Sequence, residues 1–354
     1  MGLIHGAMLL LIAALATAFF GPQAQSQNAD RNAALLQASR QVEALVQAGS
    51  YPEAAQQAEL LVQQFPERHE AWLTLANCHL QDGWPMRRDT RVEQAAGKAR
   101  ELAGDRPEIL WALNVARFRL RRPGVLEDTR ALLDDPSVVM RAPQKAELFF
   151  ICAELYLERG GDEALVKATE DLGKALTLNP RHLAGLLLRA KLLRQSGQLT
   201  QALQDVEAGF KLNPGSRFVH HQFVACYRAL RDQEKMNRHR EVWRLLTRLA
   251  EASAAEHPDD AELLAMLQRL RELNPLDVRR RLDLLRQELI CGDLQRAIVE
   301  YEGLKQRHPE WQALKKVGVQ VEARKQAAKD GGEGNDGKSD DGNSQNPDGG
   351  ATHR

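Results

Sequence analysis

"LTLNP" at residues 176–180 and "FKLNP" at 210–214 place the same Leu-Asn-Pro 34 residues apart. Pro275 and Pro309 are separated by the same 34 residues. Asn precedes Pro at 180, 214 and 275, and His precedes it at 258 and 309. Other residues keep fixed offsets from these prolines. Gly49, Gly197 and Gly292 lie seventeen residues before Pro66, Pro214 and Pro309, and Ala54, Ala202 and Ala297 lie twelve before them. Ahead of Pro180 the alanine, Ala168, keeps its place. The glycine there, Gly160, stands three residues further back, which predicts a small insertion in that turn. A fixed period of this length is the mark of a stacked repeat.

Each offset has a physical task. Between Pro and the next Gly the pattern predicts one helix, such as 182–196, and between Gly and Pro another, such as 199–211. Gly accepts the positive φ that closes a helix and reverses the chain. Pro cannot continue a helix and marks the next boundary. The small alanine predicts the point where two helices cross, with larger apolar residues at three- and four-residue spacing around it. Leu186, Ala190 and Leu193 supply these on one helix, and Ala202, Val206 and Phe210 on the next. The fold class expected is all-α, an α-solenoid of stacked antiparallel helix pairs.

A 34-residue helix–turn–helix of this kind resembles the tetratricopeptide repeat family over about residues 35–310. Trp72, Phe149 and Leu186 match the family's large residue at the opening of the first helix, and Ala76, Ala153 and Ala190 the small residue four later. Tyr156 and Leu193 match the next large position, where His79 departs from the pattern. The match is strongest in 35–66, 146–180, 183–214 and 278–309. It is weaker at 107–143, a degenerate pair around "RRPG", and at 216–256, which lacks the turn glycine. Residues 259–272 read as an unpaired helix and 310–329 as an end helix covering the last apolar face.

The resemblance implies a right-handed superhelix whose first helices line a concave groove for a partner protein. Carried over by register, the groove positions include Asn77; Phe150 and Glu154; Leu187, Lys191 and Arg194; and His221 and Arg228. Lys191, Arg194 and Arg228 then form a basic patch beside an acidic one from Glu147, Glu154 and Glu158, suited to a partner segment of mixed charge with apolar anchors. Some family members hold a C-terminal carboxylate with Lys and Asn. Asn77 matches one such position, but Ser39 and Glu43 stand where Lys and Asn are needed, which argues against that activity.

Composition narrows the function further. The chain has 354 residues, 43% apolar and 27% charged, with 48 Lys+Arg against 48 Asp+Glu. A general nucleic-acid binder carries a basic excess, so no nucleic-acid partner is expected. The run "MLLLIAALATAFFGPQAQS" (8–26) is shorter than the roughly 20 apolar residues of a membrane span and reads as a secretory signal. It lacks Lys or Arg ahead of its apolar core, so an uncleaved anchor at 8–20 stays open. The expected location is exported, in the periplasm or cell envelope of a bacterial source. The expected division is 1–26 leader, 27–329 helical repeats and 330–354 tail. The tail is nearly free of apolar side chains, with six acids against two bases, and is read as disordered.

The sequence offers little for catalysis. "GGEGNDGKS" contains Gly332, Gly337, Lys338 and Ser339 in phosphate-loop spacing, but no strand precedes it and no helix follows it. Cys78, Cys152, Cys226 and Cys291 lie on first helices of separate repeats, too far apart for the roughly 4.4–6.8 Å Cα spacing of a disulfide, and are read as buried free thiols. His220 and His221 diverge by about 100° on a helix and share no metal face. The arginines of the "RRPG" turn read as a solvated cluster. No stretch of 100 residues lies outside the helical pattern, which leaves no room for a separate catalytic domain. The expectation is a non-catalytic scaffold or adaptor without cofactor or metal. An accessory subunit of an envelope assembly or polysaccharide export machine is the alternative.

Overall fold

The structure, a computed structural model, describes residues 29–48, 50–81, 87–255 and 257–332. Residues 1–28, Gly49, 82–86, Glu256 and 333–354 lie outside the described residues, and with them the expected leader and nearly all of the expected tail. All regular structure among the described residues is helical: α1 (29–47), α2 (Tyr51–Gln64), α3 (His69–Gln81), α4 (Arg87–Ala103), α5 (Pro107–Arg119), α6 (Val125–Asp134), α7 (Ala142–Arg159), α8 (Asp162–Leu178), α9 (Leu183–Gln195), α10 (Leu199–Leu212), α11 (Arg217–Ala229), α12 (Gln233–Ser253), α13 (Asp260–Leu273), α14 (Val278–Ile290), α15 (Leu294–Arg307) and α16 (Gln312–Gly332). The fold is an all-α helical-repeat solenoid. Its last helix runs to Gly332, three residues past the tail boundary expected at 329.

The chain divides into two compact units, one ending at Trp243 and the other beginning at Arg244, with the division inside α12. In the first unit the odd-numbered helices are the first helices of pairs and the even-numbered ones the second. Neighbours in the chain pack on one another, and first helices also meet along the stack: α3 on α5, α5 on α7 and α9 on α11. In the second unit α13, expected to be unpaired, packs on α14; α14 pairs with α15, and α16 covers them both.

The repeated residues do what their offsets demand. The residue before each of Pro66, Pro180, Pro214, Pro275 and Pro309 caps a helix with φ between −132° and −147°, outside the helical region that a following proline disfavours. Ala54, Ala168, Ala202 and Ala297 are all 0% exposed, as are Ala76, Ala153 and Ala190 on the first helices. Leu172, Ile151 and Leu148 join one core of the first unit, and Phe223, Val219 and Tyr227 another. Leu285, Leu304 and Val321 belong to the core of the second unit.

The turns explain the two weak repeats. Gly197 and Gly292 stand fourteen residues after the first residue of their helix, at φ 80° and 82°. Arg121 and Arg231 hold the same place in α5 and α11, at φ 55° and 59°. The next backbone N–H closes the helix on the same carbonyl in all four: Gln198 to Leu193 (2.8 Å), Asp293 to Glu288 (2.9 Å), Arg122 to Arg117 (2.9 Å) and Asp232 to Tyr227 (3.0 Å). The reversal is thus kept where the glycine is missing, at a cost of about 1–2 kcal/mol for a side chain in the left-handed region. Arg121 has compensation, an ion pair with Glu158 and a guanidinium 5.6 Å from the Phe118 ring. Arg231 is exposed and has no ion pair among the described residues. Arg231→Gly is therefore expected to raise the unfolding free energy by about 0.5–1 kcal/mol, and Arg121→Gly by less. Urea unfolding of the two variants checks this; equal gains, or a loss at 231, would contradict the account.

A second repeated device was not read from the sequence. Three residues after the crossing alanine, the second helix buries an acid: Asp171, Asp205 and Glu300, exposed by 1%, 7% and 2%. Each meets an arginine. Asp171 pairs with Arg130, Asp205 takes both arms of Arg189 at 2.8 and 2.7 Å, and Glu300 accepts from Arg281 Nε at 2.5 Å. Burying a charged carboxylate is costly, and a matched arginine offsets that cost.

Candidate functional site

First helices bury one stripe against their pair partners and leave a second stripe free. On α1 the buried positions include Leu35 and Val42, and Leu36, Ser39, Glu43 and Val46 recur beside them at three- and four-residue spacing. Together with Thr74, Asn77 and Cys78 of α3, Trp111 of α5 and Arg141 at the start of α7, they line a cleft of ≈ 390 Å³. Thr74 Oγ1 lies 3.4 Å from Ser39 Oγ and donates to the Glu70 carbonyl at 2.8 Å, fixing the wall between α1 and α3. Asn77 Oδ1 and Trp111 Nε1 have no hydrogen-bond partner. A neighbouring hollow shares Leu36, Ser39, Thr74 and Asn77 with this cleft and continues past Leu73 to Glu108.

Of the residues expected in the groove, only Asn77 lies in this cleft. Trp111 was missed because its repeat lacks the turn glycine. Pro107, at the first position of α5, is the signal that could have set the register.

The other expected residues lie on α7, α9 and α11, and not all face a partner. Phe150 is 8% exposed and its ring lies 5.0 Å from that of His182. His182 caps α9: its Nδ1 accepts from the Gly185 N–H at 2.9 Å. Nε2 of the neutral ring must then carry the proton, which it donates to Glu147 Oε2 at 2.8 Å. Phe150 and Glu147 thus both help to seat the turn between α8 and α9, and the Phe150 side chain is buried in the core. Leu187 is partly buried against the α9–α11 core.

The charged positions stand as a set. Helices α9 and α11 carry no acidic residue. Arg189 is used by Asp205, which leaves Lys191, Arg194 and Arg228 with no ion pair among the described residues. Lys191 and Arg228 are exposed; Arg194 is half-buried and its Nε has no partner. Gln222 Oε1, on α11, has none either. Across from them on α7, burial and the Glu158 charge push the Glu154 carboxyl up, while Lys191 and Arg121 pull it down. The basic and acidic patches are thus close enough to feel each other. His221 is exposed, with its ring 5.6 Å from Trp243 of α12.

Its neighbour His220 is 1% exposed and belongs to an interior network that the sequence did not reveal. His220 Nε2 lies 2.9 Å from the Pro214 carbonyl and Nδ1 lies 2.9 Å from Nδ1 of His239 on α12. A carbonyl only accepts, so His220 Nε2 donates and its Nδ1 accepts from His239 Nδ1–H. The His239 ring stacks on Phe223 at 4.2 Å. Cys78, Cys152 and Cys226 are buried thiols, but Cys291, expected to be buried like them, is exposed at the end of α14. Burial pushes the Cys152 thiol up to about 12, so it is not a thiolate nucleophile. Among the described residues no group of three His, Cys, Asp or Glu is placed to hold a metal ion. No helix of the described residues is long and apolar enough to cross a membrane.

No family model matches the chain, and no curated protein matches it in sequence. Among solved structures it is similar to PilF of Pseudomonas aeruginosa, at 13% identity and a TM-score of 0.45, over 68% of this chain and 99% of that one. It is similar to PilW, a widely conserved type IV pilus biogenesis factor, at 15% identity and 0.44, over 66% and 98%. The human IFIT1 dimer with PPP-AAAA follows at 17% and 0.40, over 80% and 64%. The fold class rests on the helix pairing described above.

Proposed function

We propose that this chain is a non-catalytic scaffold that binds an extended segment of a partner protein along its first helices. One observation carries the reading. Buried polar groups are nearly always hydrogen-bonded, yet Asn77 Oδ1, Trp111 Nε1, Arg194 Nε and Gln222 Oε1, all on first helices, have no partner. They are two acceptors and two donors. An extended backbone, with its alternating N–H and C=O groups, supplies what such a set lacks. Lys191, Arg194 and Arg228 would meet acidic side chains of the partner, and Glu154 and Glu158 basic ones. The apolar leader supports a place in the cell envelope, as a free scaffold or as an accessory subunit of an assembly machine.

The test is recovery of partners from the native envelope with the tagged full-length chain, beside Lys191→Glu/Arg194→Glu/Arg228→Glu. Recovery of the partner should fall at least about tenfold in the variant, the change expected from losing 1.4 kcal/mol. Helical content should be unchanged. Undiminished recovery would place binding elsewhere, and no recovery with the native chain would remove the scaffold reading.

A further inference from the structure

The cleft between α1, α3 and α5 carries a narrower statement about what it binds, which rests on the scaffold reading above. Its floor and walls are of two kinds. Leu36, 52% exposed, and Val46 make an apolar wall over Val42 and Cys78, each 2% exposed. A side chain that covers Leu36 removes apolar surface from water on both sides. Beside this wall stand Trp111 Nε1, a donor without an acceptor, and Asn77 Oδ1, an acceptor without a donor. One peptide unit of a partner offers the complement of both.

The rim adds a charge requirement. Arg40 and Arg141 line the cleft, and neither has an ion pair among the described residues. The nearest claim on Arg141 is a 3.4 Å contact from its Nε to Gln144 Oε1 within its own helix cap. Glu43 is the one acid that lines the cleft, so two guanidinium groups face a single carboxylate. Most other arginines of the first unit are matched: Arg91 with Glu59, Arg122 with Glu93, Arg159 with Glu127 and Arg189 with Asp205. A guanidinium at a cleft rim recognises a carboxylate by charge and by paired N–H groups.

The cleft is also open along its length. It runs into the neighbouring hollow through Leu36, Ser39, Thr74 and Asn77. A chain can therefore pass through it and need not end in it.

We infer that this cleft holds an internal, extended stretch of a partner protein in which an apolar residue is followed by an acidic one. The apolar side chain rests on Leu36 and Val46, the peptide unit between the two bonds to Trp111 and Asn77, and the acid sits between Arg40 and Arg141. The acid belongs to a side chain within the segment, not to a chain terminus.

The test uses the full chain and dye-labelled twelve-residue peptides of Gly and Ser, read by fluorescence anisotropy. One peptide carries central Leu-Glu and an amidated end, a second central Leu-Lys and an amidated end, and a third ends in Leu with a free carboxylate. The Leu-Glu peptide should bind at least about tenfold more tightly than the Leu-Lys peptide. Arg40→Glu/Arg141→Glu should abolish that preference. Trp111→Phe, which keeps the ring and loses the N–H, should weaken binding about two- to tenfold. Equal binding of the Leu-Lys peptide overturns the proposal, as does binding of the free-carboxylate peptide alone, or of none of the three. Failure here is distinct from failure of the scaffold reading. If the envelope partner is recovered equally with native chain and Arg40→Glu/Arg141→Glu, this cleft is not its seat, while the scaffold reading stands on α9 and α11.

Discussion

Replacing Arg281 by methionine should lower the unfolding free energy of the second unit by about 3–5 kcal/mol, the cost of leaving one charge of a buried pair uncompensated. Arg281 has a side chain 12% exposed, and its Nε donates to Glu300 Oε1 at 2.5 Å. Glu300 is 2% exposed, and its only other described ion-pair partner is Arg271, 3.4 Å away with a side chain 49% exposed. An exposed arm of that kind is hydrated and contributes little. The neighbouring Glu288 is 1% exposed, and its Oε2 has no partner. With Arg281 gone, Glu300 would face a second buried carboxyl with only the half-exposed Arg271 beside them. Glu300→Gln leaves Arg281 a neutral acceptor and relieves the repulsion on Glu288, so it should cost less, about 1–2 kcal/mol. Urea unfolding followed at Trp311, the tryptophan packed on the core of the second unit, separates the two. An Arg281→Met loss below that of Glu300→Gln would mean that the pair's desolvation cancels its attraction.

The two units should answer pH in opposite directions. Burial pulls His239 down to about 4, and His220 and Arg238 beside it act the same way. Burial pulls His220 down as well, against the lifting effect of its bond to the Pro214 carbonyl. In the unfolded chain the His239 ring returns to its ordinary 6.5. Between about 4 and 6.5 the unfolded state therefore binds more protons, and stability of the first unit is lost as pH falls through that window.

Glu288 has the reverse sign. Burial, with the Glu300 charge next to it, pushes its carboxyl up to about 7 from 4.5. Between these values the folded state holds the proton, so stability of the second unit is lost as pH rises. Discounted for the partly exposed edge of the His239 ring, its effect is about 1–3 kcal/mol, and that of Glu288 is of similar size. Single-tryptophan chains keeping Trp243 or Trp311 report the units in turn. From pH 7 to 5 the urea midpoint at Trp243 should fall while that at Trp311 rises. His239→Phe should flatten the first trend and Glu288→Gln the second. Parallel slopes at the two tryptophans would contradict both assignments.

The repeat was legible because its signals are backbone signals. Only proline fixes the residue before it, only glycine turns freely at positive φ, and only alanine fits a helix crossing. Three positions of one period were enough to register eight helices. The register failed where arginine took the glycine's place, at 121 and 231, since nothing in the side chain advertises the backbone it adopts. The site was read less well for a related reason. Register tells which way a residue points but not what its neighbours do with it. Phe150 and Glu147 hold groove positions, and both are taken by His182, a residue 32 positions after Phe150 that no local pattern connects to them. The cleft at α1, α3 and α5 depends on Trp111 and Arg141, one in a repeat of uncertain register and one in a loop. The His220–His239 pair joins separate helices at a distance that sequence spacing does not encode.

The neighbour-to-neighbour packing of the helices has a kinetic consequence. The helix contacts described for α3 to α11 and for α13 to α16 join elements no more than two places apart in the chain. Contact order is then low, and loop closure, the slow step for sheet proteins, asks little of this chain. Each pair can form as soon as its own residues are free, with no need to wait for a distant segment. A chain delivered end-first, from a ribosome or across a membrane, can build its stack in the order in which it arrives, each finished pair serving as template for the next.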